Sequence, residues 1–196
     1  MVDMNIRPAL VQDAADLARL DNIASHGFSA WFWQKSATQA GADNPEELAQ
    51  QAMARDDYRS GWSNAIVAEI DGRIVGGASG YVMEDDAEIH QPSTEPVFEP
   101  VRQLFEATVG DWLLDWLAVH EPFRGQGIAT ALLDKCLTLA KHCGVEKASL
   151  VAEDSNDPAL RLYRSRGFRQ RDQRAYIPFN KISKTQNWLL MSAPVT

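Results

Sequence analysis

The sequence predicts an α+β layered fold: a mixed central sheet flanked by helices, within a single domain over residues 1–196. Three observations carry that prediction. Two apolar runs, Asn64–Ile70 and Arg73–Met83, are joined by Asp71-Gly72, a two-residue connection that favours a β-hairpin. Further on, strand, helix, strand and helix alternate from Trp112 to Gly167, the order of a crossover that sets strands parallel. The composition, 45% hydrophobic and 23% charged, is that of an ordinary globular chain. A chain of this length buries roughly two-thirds of its unfolded surface without help from disulfides or metals.

At the start of the chain, Met4–Arg7 reads as a short extended segment, and Pro8 keeps it from being a central strand. Apolar residues near helical spacing predict a helix over Val11–Ile23, followed by the aromatic stretch Phe28, Trp31, Phe32 and Trp33. A second helix starts at Asn44-Pro45-Glu46-Glu47, where Asn caps, Pro suits the first turn and the acids suit the helix dipole. After the hairpin comes a long connection, 84–110, acidic at first (Glu84, Asp85, Asp86, Glu88) and then with the spacing of a short amphipathic helix through Val101, Leu104, Phe105 and Thr108. Connections of this length are usually functional or disordered, and this one reads as a helical insertion over a binding site. Trp112–Val119 is an apolar strand broken only by Asp115. The helix Ile128–Cys143 ends at Gly144, Ala148–Glu153 is the next strand, and Asp157-Pro158 opens a helix that Gly167 ends. Strands around Phe168–Ile177 and Gln186–Ser192 close the chain.

Charge and composition narrow the function. A net charge of −8 disfavours the clustered cations that phosphate backbones require, so no nucleic-acid partner is expected. No run of 18 apolar residues is present and the N-terminus does not read as a signal peptide, so the expected location is cytoplasmic, away from membranes. Cys136 and Cys143 stand seven residues apart on one helix, too far for a disulfide, and read as free thiols. His26, His90, His120 and His142 lack metal-ligand spacing, and no metal is expected.

The segment that carries chemistry is Val119-His-Glu-Pro-Phe-Arg-Gly-Gln-Gly-Ile-Ala129. A buried strand enters a glycine-bearing turn, and the turn opens a long helix. The first N–H groups of a helix find no partner inside it, and with the positive end of the dipole they make an anion site. Gly125 and Gly127 permit close backbone approach, and Arg124 adds a permanent positive charge, so a pyrophosphate is the expected guest. A P-loop is excluded because no Gly-Lys-Ser/Thr comes after the glycines, and Thr130 stands where a dinucleotide fingerprint needs its third glycine.

Together with the chain from Asn156 to Phe168, this segment resembles the GNAT acetyltransferase family. The family's acetyl-CoA motif, Arg/Gln-x-x-Gly-x-Gly/Ala, is matched by Arg124-x-x-Gly127-x-Ala129 after the hydrophobic strand Leu117-Ala-Val119. Downstream, Asn156, Ala159, Leu162-Tyr163 and Gly167-Phe168 match its second motif in order. The likeness is strongest over about 112–168, and the element order extends it to roughly 4–192. The helices before residue 64 and the connection 84–110 match nothing specific.

The resemblance implies a fold in which the strand before the turn splays from its neighbour, so that Leu117, Ala118 and Val119 pair with the pantetheine arm of acetyl-CoA. Its pyrophosphate is then expected on Arg124, Gly125, Gln126, Gly127, Ile128, Ala129 and Thr130, with Asn156 near the pantetheine and the Tyr163 hydroxyl near the sulfur. The implied reaction is direct attack of an amine acceptor on the thioester. It needs a deprotonated amine, a stabilised oxyanion and a proton for the thiolate. A backbone N–H near Val119 suits the oxyanion. Tyr163 suits the thiolate, since a phenol near 10 lies above a thiol near 8.5.

For the base, Asp115 is the first candidate, because it interrupts an apolar strand and burial would raise its pKa. The alternative is an Asp that only hydrogen-bonds its neighbours. Glu84, just past the second hairpin strand, is the next candidate, with a solvated loop acid as its alternative. The Trp31–Trp33 cluster, Phe98 and Phe105 are candidate apolar walls for a cationic acceptor. A non-catalytic acyl-CoA sensor or scaffold is the competing reading, and a homodimer is left open.

Overall fold

The computed structural model describes residues 4–87, 89–179 and 184–195; Glu88 of the acidic connection lies outside them. The chain runs β1 (Met4–Pro8), α1 (Ala14–Ala24), α2 (Phe28–Ala40), α3 (Pro45–Met53), β2 (Ala65–Ile70) and β3 (Arg73–Val82). It continues through α4 (Glu99–Glu106), β4 (Trp112–Val119), α5 (Ile128–His142), β5 (Lys147–Glu153), α6 (Asp157–Ser165), β6 (Arg169–Ala175) and β7 (Asn187–Pro194). Among the described residues the strands form one mixed sheet in the order β1-β2-β3-β4-β5-β7-β6. Pro8 therefore stands on an edge strand, as its missing N–H requires.

Two compact units share this chain. The first comprises the residues up to Gly80 together with Asp115–Cys136. Its hairpin turn has Asp71 at φ 50° and Gly72 at φ 72°, the left-handed pair that a two-residue connection demands. Arg7 ties β1 down, bonding Asp13 at 2.7 Å and Glu69 of β2 at 2.6 Å. Asn44 caps α3 through Glu46 and Glu47 N–H groups. Leu17 and Leu20 of α1 bury against Val67, Trp116 and Met53. A side chain is impossible at Gly77, where a Cβ would lie 2.9 Å from the Ile66 carbonyl and 3.1 Å from Leu20. Gly76 is equally constrained on its own side: a Cβ there would meet the Ala118 carbonyl at 2.9 Å, Val119 at 3.1 Å and Ile128 at 3.4 Å. That glycine lets the end of β4 and the first residue of α5 lie directly on β3.

The second unit holds Tyr81–Leu114 and the chain from Leu137 onward. Here β4 pairs with β5 in parallel, Trp112 with Ala148, Leu113 with Ser149 and Leu114 with Leu150, and the pairing stops there. β7 lies between β5 and β6 and is antiparallel to both. The helix expected within 84–110 is α4. Its buried Val101 and Leu104 accompany contacts with β5, β6 and β7, and the Arg174 guanidinium donates to the Gln103 side chain at 3.1 Å. His90 bridges Asp85 at 2.6 Å and Glu106 at 3.0 Å, fastening the acidic start of the connection to α4. Buried Asp111 accepts from Ser149 at 2.6 Å and Arg171 at 3.1 Å, which ties the start of β4 to β5 and β6.

Candidate active site

The turn after β4 begins with His120, whose N–H donates to Val75 of β3 at 2.9 Å. A short 3-10 turn over Glu121–Phe123 comes next, and then Gly125 and Gly127 both adopt left-handed backbone, φ 76° and 82°. At neither glycine does any atom lie within 4 Å of the position a Cβ would take. The glycines therefore serve conformation rather than packing. Arg124 is exposed and donates from Nε to the Val119 carbonyl at 3.0 Å, so its guanidinium is held at the head of the turn. Ile128 is buried under the helix start, while Ala129 and Thr130 keep partial exposure. A strand end, a glycine turn and a helix start thus follow one another directly, with a cation in the turn, and the first N–H groups of a helix have no partner within it.

Further back on β4, Asp115 accepts from the Ser60 hydroxyl at 2.5 Å, and the next residue, Trp116, donates from its indole to the Ser60 carbonyl at 3.0 Å. Ser60 therefore locks the loop before β2 onto the strand through both of its oxygens. Burial drives the Asp115 carboxyl above its ordinary range, and the Ser60 bond only partly opposes this. A second acid belongs to the same place. Asp21, near the end of α1, is pushed up to about 7, first by burial and also by the charge of Asp115, while a hydrogen bond from Ser29 opposes. Tyr58 is held protonated, its phenol raised by burial and then by Asp21 and Asp115. Both carboxylates are densely surrounded, yet each keeps a partly exposed surface, so they are recessed rather than sealed. The Trp33 ring stands edge-on to Tyr58 at 6.3 Å, which brings α2 of the aromatic stretch to the same loop.

The other expected residues belong to the second unit. Asn156 caps α6, its side-chain oxygen accepting from Ala159 N–H at 3.3 Å. One face of that amide is thereby committed to the helix. Tyr163 is 9% exposed and its ring lies 6.0 Å from Phe168. Glu84 is exposed just past the end of β3. Phe98 and Phe105 stack edge to face at 6.2 Å on α4 and its approach. Asp21, Tyr58 and Ser60 were not anticipated from sequence. Asp21 carried a signal: it comes after Ala14 and Leu17 on the buried stripe of α1, where an acid is out of place. Tyr58 and Ser60 lie in a polar loop with no pattern to mark them.

Residues 25–168 match the sequence model of the Acetyltransferase (GNAT) family. The chain belongs to the GNAT acetyltransferase family. That span includes β4, the glycine turn, α5 and the Asn156–Phe168 segment. An N-alpha-acetyltransferase of Sulfurisphaera tokodaii is 33% identical over 106 residues, covering 54% of this chain. The chain spans about half of that relative's length, 56%. Among solved structures, one described as an acetyltransferase superposes with a TM-score of 0.67 at 24% identity, over 98% of this chain and all of its own. The Salmonella typhimurium protein yncA, solved with its cofactor acetyl-CoA, gives 0.64 at 18% identity, over 98% of this chain and 94% of its own. These two establish the GNAT fold across nearly the whole chain. No helix of the described residues is long and apolar enough to cross a membrane.

Proposed function

We propose that this chain is an N-acetyltransferase that moves an acetyl group from acetyl-CoA to a primary amine by direct attack. The observation that carries the reading is the open glycine turn at the head of α5, directly after a strand whose pairing with β5 stops at Leu114. Residues Leu117–Val119 would lend backbone groups to the pantetheine arm, and Arg124 to Thr130 would hold the pyrophosphate. The residues present fit such a guest, since the two glycines of the turn carry no side chain over the backbone and Arg124 supplies a positive charge beside it. Asn156 would offer its uncommitted amide group near the pantetheine.

In the reaction, the amine gives up a proton to Asp115, which burial makes a stronger base than an ordinary carboxylate. A Val119 backbone N–H stabilises the oxyanion. The Tyr163 hydroxyl protonates the departing thiolate, and Glu84 is the reserve base. We assign the whole to one domain over 1–196 with α4 in an inserted connection, working in the cytoplasm on neither nucleic acid nor membrane. The name of the Sulfurisphaera relative favours an α-amino group as acceptor, whose ordinary pKa near 8 lightens the base's task.

An acceptor screen with acetyl-CoA, read by release of the CoA thiol, tests this. Turnover with primary amines is expected, and the Tyr163→Phe variant should lose roughly 10²-fold in kcat while binding acetyl-CoA as before. A wild type that binds no CoA would overturn the assignment.

A further inference from the structure

In the second unit, the connection between β3 and β4 carries an imidazole set between two carboxylates. His90 places Nε2 2.6 Å from Asp85 Oδ1, and Nδ1 3.0 Å from Oε1 of Glu106 on α4. Ionised carboxylate oxygens only accept, so both ring nitrogens must donate, and only the imidazolium has a proton on each. A neutral ring has one N–H. It serves one carboxylate and turns its lone pair toward the other, so the bridge from Asp85 to α4 exists only in the charged form. The rest of the attachment does not titrate this way. Arg102 donates to the Ile89 carbonyl, to Glu106 at 3.0 Å and to Glu99 at 2.8 and 2.7 Å, and Glu99 also accepts from the Ser93 N–H at 2.7 Å. Glu99 raises the Arg102 guanidinium further above its already high range, and Arg102 in turn holds the Glu99 carboxyl down at about 2. His90, and after it Arg102, lowers Glu106.

We propose that His90 is a pH-operated latch: as imidazolium it fastens the start of the β3–β4 connection, at Asp85, to α4, and on losing its proton it lets that end go. The charged groups facing it are Asp85 and Glu106, with Arg102 behind Glu106; Arg174 of β6 reaches α4 at Gln103 instead. Both facing carboxylates favour the imidazolium and raise His90 above its ordinary 6.5, Asp85 first and Glu106 after it. The fastening is therefore complete below 6.5 and is lost as pH rises through the raised value. His90 is exposed, so the latch is a light one. It decides whether the backbone directly after Glu84 is tied to α4, and it stands apart from the acetyl-transfer reading.

Two measurements on the full chain test the latch without reference to activity. By NMR, the His90 ring should titrate above 6.5, and Asp85→Asn and Glu106→Gln should each bring it back toward that value. By hydrogen exchange, the amides of Ser93 and Glu95, both hydrogen-bonded in the structure, report on the connection lifting off α4, an opening that must break the His90–Glu106 contact. Their protection, taken against the unstructured rate at each pH, should fall between pH 6 and pH 9. Linkage fixes the size of the fall at about tenfold for each pH unit by which the His90 titration is raised. His90→Gln, which has no charge to lose, should show the low protection at both pH values. A His90 that titrates at or below 6.5 overturns the latch. So does wild-type protection that is equal at pH 6 and pH 9, or a His90→Gln chain that keeps wild-type protection at pH 6.

Discussion

At the scale of single residues, Asp21 and Asp115 hold charges that the folded chain would rather not carry. A carboxyl raised in the fold binds its proton more tightly there than in the unfolded chain. Stability then falls as pH rises from the ordinary value of 3.8 through the folded value of about 7, and the full penalty is present above it. Asp21→Asn should therefore be more stable than wild type at pH 8, by a few degrees in Tm for a chain of this size, and equal to it below pH 4. Thermal melts at both pH values check this. A variant that is less stable at pH 8 would mean that the Ser29 bond outweighs the charge.

At the scale of elements, the candidate cofactor surface depends on how closely β3, the end of β4 and the start of α5 approach one another. Gly76 sets that distance. Alanine there would push on a carbonyl and on two branched side chains at once, and backbone cannot swing aside as a flexible side chain does. Gly76→Ala should lose about 1–3 kcal/mol in urea denaturation, the scale of overpacking, and should weaken CoA binding as the turn shifts. Unchanged CoA affinity in a destabilised variant would show that the turn holds its shape independently of β3. By contrast, Gly125 and Gly127 have open space before them, so a side chain there is opposed by left-handed φ and not by crowding.

For the molecule as a whole, the net charge of −8 gives the surface a field that draws cations. A cationic acceptor should feel that field more than it feels any single pair. Its KM is expected to rise about threefold between low salt and 0.3 M, where screening falls to within several ångströms. The KM for anionic acetyl-CoA should hold or fall over the same range. Steady-state kinetics at three ionic strengths separate the two, and a salt-independent acceptor KM would show that the overall field does not draw the acceptor.

What the sequence determined by itself was whatever neighbouring residues decide. Asp71-Gly72 could only turn the hairpin, Asn44 could only cap α3, and an apolar strand followed by two spaced glycines and a helical period placed the turn between β4 and α5. Asp115 was legible for the same reason, as one acid in an apolar strand. The helix α2 was not, because its aromatic run lacks a clean apolar face and only Ala37 is buried. Nor was the position of β7, which enters between β5 and β6 and so parts two strands that follow one another in the chain. The meeting of Asp21 with Asp115, Tyr58 and Ser60 also belongs to the tertiary structure. These residues are distant in sequence, and no local preference can register a partner that packing alone brings near. Burial and like charge, which give Asp21 its value near neutrality, exist only once α1 and β4 have come together.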